Sequence, residues 1–130
     1  MTGPQLIEVN TNAGGALLNM ALARAQRACC GVADSPQTQN NDAAKMLEMF
    51  HSEWRLVKGN APLRHIAIVD EAPLEQYLLP EFLLFQRLFE RAGIRASICD
   101  PRALNIVAGT LQLDGMVVDL IYNRSTDFAF

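Results

Sequence analysis

Arg64-His-Ile-Ala-Ile-Val-Asp70 places four apolar residues, Ile66 to Val69, in unbroken succession between polar flanks. Such a run suits a strand buried on both faces of a parallel sheet, because an antiparallel strand with one wet face alternates instead. Parallel neighbours need long crossover connections, normally helical. Helix-periodic segments should therefore flank this strand, and they do.

Gln5 to Asn10 alternates well enough for a short first strand, broken by Thr11-Asn-Ala-Gly-Gly15. From Ala16, apolar residues Leu17, Leu18, Met20, Ala21, Ala25 and Ala28 recur at helical spacing up to a stop at Gly31. Residues 32–41 are the most loop-like stretch. A second helix is expected from Asp42 to Lys58, its apolar stripe formed by Met46, Leu47, Phe50, Trp54 and Val57. After the Ile66–Val69 strand comes an apolar helix from Glu75 to Ala92, with Pro80 either kinking it or marking its first turn. Ile94 to Cys99 reads as a strand, and Asp100-Pro101-Arg102 as a cap for a short helix running through Val107. Thr110 to Leu113 and Met116 to Tyr122, joined by Asp114-Gly115, form a hairpin. Trp54, Phe82, Phe85 and Phe89 sit at core spacing. The order predicts an α/β fold: three-layer α/β/α, Rossmann-like, with a mostly parallel sheet and a C-terminal β-hairpin.

Composition narrows the class further. The 130 residues allow one domain, 1–130, and half of them are hydrophobic against 19% charged, which excludes a disordered chain. Fourteen acidic against eleven basic residues leave a net charge of −3. Nucleic acid and anionic membranes are thus not expected partners. No stretch approaches the ~20 apolar residues of a membrane span. Cys29, Cys30 and Cys99 lack metal-ligand spacing and are expected as buried or part-buried thiols, which suits a reducing, cytoplasmic setting.

In open α/β sheets, ligands gather beyond the carboxyl ends of the strands. That rule collects Glu8, Asn10, Thr11 and the loop to Gly15 after the first strand, and Asp70 and Glu71 after the second. Cys99 and Asp100 follow the third, and Asn123, Arg124, Ser125 and Asp127 the last. Gly14-Gly15 before a helix is either an anion cradle of backbone N–H groups or a plain strand-to-helix turn. Glu8 shares a strand face with Asn10 and is either on the wet side of an edge strand or a contact for a polar ligand. Arg124 is either the partner of a substrate carboxylate or of Asp127 or Glu8. His51 is expected on the surface and His65 in a structural role. A receiver-like reading of Asp70-Glu71 fails, because the only lysines are Lys45 and Lys58 on the second helix. No catalytic triad or dyad assembles.

Gln5-Leu-Ile-Glu8-Val-Asn10-Thr11, followed by Gly14-Gly15 and a helix, resembles the substrate-binding segment of eukaryotic-type glutathione synthetases, members of the ATP-grasp ligase superfamily. The resemblance continues through Ile66-Ala-Ile-Val-Asp-Glu71 and closes on Val118-Asp-Leu-Ile-Tyr122-Asn-Arg124, covering nearly the whole chain. It implies a substrate-binding, pre-ATP-grasp-like domain that is part of a longer chain. Glu8, Asn10 and Arg124 would contact a peptide- or amino-acid-like substrate, with Thr11, Gly14 and Gly15 beside them. After Arg124 the family continues Asp-Gly-Tyr, whereas this chain reads Ser125-Thr-Asp-Phe128. No catalytic or metal-ligating residue is expected on the segment itself. ATP and Mg²⁺ would belong to the ATP-grasp domains of the parent enzyme, a carboxylate–amine ligase. The alternative is a non-catalytic module that binds a nucleotide, an anion or a protein partner. The apolar helix 75–92, read as an outer helix, would offer a surface to another domain or to a second copy in a homodimer.

Overall fold

The computed structural model describes residues 14–31 and 36–125. The expected first strand, 5–10, lies outside them, as do Glu8, Asn10, Thr11 and Asp127. The elements in chain order are α1 (Ala16–Cys29), α2 (Pro36–Lys58), β1 (His65–Val69), α3 (Leu79–Arg91) and β2 (Arg95–Cys99). A 3₁₀ turn (Pro101–Ala103) leads to β3 (Leu104–Val107), β4 (Thr110–Leu113), β5 (Met116–Val117) and β6 (Leu120–Asn123).

β1 is the centre of a three-stranded parallel sheet of order β2-β1-β6, and all five of its residues are buried, as the unbroken apolar run required. Register rows explain the layering. Ile66 lies between Ala96 and Leu120, and Ile68 between Ile98 and Tyr122. These rows face a core completed by Phe50 and Trp54 of α2, Phe82, Phe85 and Phe89 of α3, and Leu17 of α1. Phe50 meets Phe89 and Tyr122 edge-on, with centroids 4.9 and 5.0 Å apart. Such pairs add about 0.5–1.5 kcal/mol each beyond area burial. The alternate residues Ala67, Val69 and Cys99 face Leu113 and Val118.

The α/β class and the parallel sheet therefore stand, but the layer on the second face differs from expectation. Among the described residues the helices pack on one face, and the small antiparallel sheet β3-β4-β5 covers the other. Ala67 and Val69 present a smaller surface than the isoleucine rows, and Leu113 and Val118, with Leu104 and Leu111 packed against the cluster, bury it. His65 completes this face. Its Nδ1 lies 2.9 Å from the Val117 carbonyl and its Nε2 2.9 Å from Ser97 Oγ. A carbonyl can only accept, so Nδ1 carries the proton and Nε2 accepts from the serine.

Several boundaries move. Helix α2 starts at Pro36 rather than Asp42; a proline is at home in a first helical turn, and the following Gln and Asn residues only mildly disfavour helix. Its end also overshoots: Val57, assigned to the apolar stripe, is 78% exposed, because the last turn runs past the packed region. α3 begins at Leu79, with Pro80 in its first turn. It is a core helix rather than an outer one, since Phe82, Phe85 and Phe89 are almost wholly buried. Leu104–Val107 is a strand rather than a helix, since Ala108-Gly109 makes a second two-residue hairpin turn like Asp114-Gly115. Both central residues of each turn have positive φ, as type I′ turns require. The segment 116–122 is two strands. Val117 ends pairing with β4, the Asp119 carboxylate accepts from the backbone N–H of Arg64 and His65, and β6 crosses to the parallel sheet. Cys29 and Cys30 are exposed, at the solvent end of α1, whereas Cys99 is buried.

Candidate functional site

The crevice at the carboxyl ends of the parallel strands divides into two parts. At the β1–β6 side, Arg124 follows β6 directly, and its backbone N–H bonds the Val69 carbonyl at 2.8 Å. Its side chain is 5% exposed and lies over the Tyr122 ring, 5.3 Å from the centroid. Gly14 lies against it. A Cβ on Gly14 would come 2.8 Å from Arg124 Nη2 and 2.9 Å from Leu78 Cδ1. Parallel pairing of β6 with β1 thus brings together residues 110 positions apart in sequence.

Glu81 belongs to the same cluster and was not among the sequence candidates. It is 1% exposed, and its two carboxylate oxygens accept from the backbone N–H groups of Leu17 (3.0 Å) and Leu18 (2.9 Å). These are the open donors at the start of α1, where Gly15, at φ 84°, is the N-cap and supplies no side chain. At Leu17 and Leu18 the N–H groups that an anion could take are thus occupied by the protein's own carboxylate, while residues 10–13 of the loop lie outside the described residues. A signal did exist. Glu81 sits four residues before Phe85, on the buried stripe of an otherwise apolar stretch, where a charge needs partners. Burial pushes the Tyr122 phenol above its ordinary range against the pull of Arg124, and the Glu81 charge adds to the rise.

At the β1–β2 side lies an open cavity of about 670 Å³, within the range of small-molecule and peptide sites. The loop after β1 (Ala72–Glu75), the edge of β2 (Ala96–Asp100), Gln86 of α3 and the β4 end (Leu113, Asp114) line it. Asp100, one of the rim candidates, is engaged in structure. Its oxygens accept from Ala72 N–H (3.0 Å), Arg102 N–H (2.9 Å) and the Arg102 guanidinium. The Arg102 guanidinium and these amides hold its carboxyl well below the ordinary range. Cys99 lines the cavity, and burial together with Asp100 and Asp114 pushes its thiol up, away from the reactive thiolate form. Asp70 accepts from the Glu71 N–H, and Asn123 from the Ser125 N–H. Of the rim candidates, Asp70, Cys99, Asp100, Asn123 and Arg124 lie at the strand ends, and several of them hold local turns; Glu8, Asn10, Thr11 and Asp127 lie outside the described residues.

Among the described residues no three of His, Cys, Asp or Glu gather as a metal set, and no helix is long and apolar enough to cross a membrane. No protein-family model matches the chain, and neither a curated protein nor a solved structure matches it.

Proposed function

We propose that this chain is the substrate-binding part of an ATP-dependent carboxylate–amine ligase resembling glutathione synthetase, and that it orients a peptide- or amino-acid-like substrate through Arg124. The observation that carries this reading is the approach of the Gly14–Gly15 turn to Arg124, which joins the two segments on which the resemblance rests. A guanidinium screened from water and stacked on Tyr122 pairs with a substrate carboxylate more strongly than an exposed one, because little solvent competes. The absent side chain at Gly14 leaves the guanidinium its space. Glu81 serves this arrangement indirectly, by tying the start of α1 to α3 and so holding Gly14 beside Arg124.

ATP and Mg²⁺ do not fit the described residues. The start of α1 is closed to a phosphate by Glu81, and no acidic metal set is present among the described residues. In this reading the ATP-grasp domains of the parent enzyme supply both, and this chain contributes substrate binding alone.

Calorimetric titration of the chain with a γ-glutamyl dipeptide and, separately, with ATP tests the proposal. Binding of the dipeptide, lost in Arg124→Lys with the melting temperature retained, is the expected result. In the parent enzyme Arg124→Ala should raise the substrate KM strongly and leave the ATP KM nearly unchanged. Nucleotide binding with indifference to the dipeptide overturns the proposal.

A further inference from the structure

The cavity beside β2 has a feature that the Arg124 cluster lacks: a strand edge that no other described strand pairs. Arg95 donates its N–H to the Arg64 carbonyl (2.9 Å), and the Cys99 carbonyl accepts from Asp70 N–H (3.2 Å). Alternate residues of a strand send their backbone groups to opposite sides. Arg95, Ser97 and Cys99 therefore face β1, while Ala96 and Ile98 face away from it. Gln86 confirms the direction, since its side-chain amide donates to the Ala96 carbonyl at 3.0 Å, as a neighbouring strand would. Among the described residues β2 is an edge of the parallel sheet, and no hydrogen bond between them reaches the N–H or C=O of Ile98. Natural edges are ordinarily blunted by lysine, proline or a covering loop. This one instead opens into a cavity with Pro73, Leu74 and Leu113 on its apolar side.

The charge around that edge has one sign. Glu75, Asp100 and Asp114 line the cavity, and no lysine or arginine does. Arg102 pairs with Asp100 at 2.8 Å and also feels the Glu71 charge, which leaves Glu75 and Asp114 without a cation among the residues that line the cavity.

We propose that this cavity binds an extended peptide segment bearing lysine or arginine, which adds as a strand to the Ala96–Ile98 edge while its cationic side chains meet Glu75 and Asp114. Main-chain bonds to the edge provide affinity in this mode, and the flanking charges select the partner. A lone amine would satisfy the carboxylates but leave the Ile98 groups unpaired. An acidic peptide would pair the edge against repulsion. The site is separate from Arg124, so it stands or falls independently of the ligase reading.

The test is fluorescence anisotropy with a labelled peptide of alternating lysine and valine. Saturable binding is expected, about tenfold weaker for the double variant Glu75→Gln/Asp114→Asn, which removes both charges and keeps a side chain compatible with positive φ at position 114. Methylation of alternate backbone nitrogens of the peptide should abolish binding without touching the protein, and exchange of the Ile98 amide should slow in the complex. Equal binding of the N-methylated peptide, equal binding of lysinamide, or no saturable binding at all overturns the proposal.

Discussion

The two halves of the strand-end crevice solve the same problem in opposite ways. Every open parallel sheet ends in backbone and side-chain polar groups that must be satisfied. Beside β6 the chain satisfies them itself: Glu81 takes the N–H groups of α1, and Arg124 packs on Tyr122 beneath Gly14. Beside β2 the described chain stops short, with the Ala96 carbonyl met by Gln86 and the Ile98 groups facing a cavity. A closed cluster stores binding groups in a fixed geometry, whereas an open edge recruits a partner to complete the sheet. The difference lies in what each neighbourhood has been given: a helix start and two opposite charges on one side, and on the other carboxylates of which only Asp100 has a paired arginine.

Glu81→Ala should break the comparison most severely. It leaves two N–H donors at the start of α1 without their charged acceptor, a loss of about 3 kcal/mol by the usual worth of such bonds. Denaturant unfolding is the measurement, and Glu81→Gln, which keeps an acceptor, should lose clearly less. Equal stability of wild type and Glu81→Ala would mean that the closed half is not held by this carboxylate.

Gly14→Ala is the next largest. Its Cβ would overlap Arg124 Nη2 and Leu78 Cδ1, both at the ends of side chains that can shift, so the cost should be about 1 kcal/mol. Dipeptide affinity should fall more than stability does, because the guanidinium is displaced. The peptide site beside β2 should be unaffected, and a parallel loss there would erase the distinction between the halves.

The smallest effect concerns pH, and it sharpens the open half. The Asp100 carboxyl is held below its unfolded value by Arg102 and the Ala72 and Arg102 amides. Stability from this group is therefore fully present above the unfolded aspartate range, near 3.9, and is lost as pH falls toward the lower folded value. Acid unfolding of wild type and Asp100→Asn should converge below that range and separate above it, with the separation constant through neutral pH. Because the carboxylate is solvent-accessible, the separation should be small.

Much of this architecture was legible in the residues. The Ile66–Val69 run specified a buried strand, and Phe82, Phe85 and Phe89 at core spacing specified the inner face of α3. Asp114-Gly115 specified a hairpin turn. Ala108-Gly109 carried the same information less plainly, since alanine rarely occupies positive φ, and Leu104–Val107 then read as well in a helix as in a strand. Arg124 and Gly14 were separately visible as candidates, and the strand-end rule expected them on one rim. Glu81 carried a signal in its spacing to Phe85, but its partners, the N–H groups of Leu17 and Leu18, lie more than sixty residues away and leave no local trace. Nothing local to Gln86 distinguishes it from a solvent-facing glutamine.

What the sequence determined by itself was therefore set by local periodicity and backbone preference: three helices to within several residues, the central strand and the Asp114-Gly115 turn. Only the tertiary structure decided where β6 would go after leaving the hairpin, and with it which charge meets which. Residues Val118 and Asp119 carry the chain from one sheet to the other, and the choice rests on long-range bonds from Arg64 and His65 to the Asp119 carboxylate. Periodicity is a property of neighbours a few residues apart. The burial of Glu81 against α1, the approach of Gly14 to Arg124 and the open edge at Ile98 depend on contacts between segments that only the folded sheet brings together.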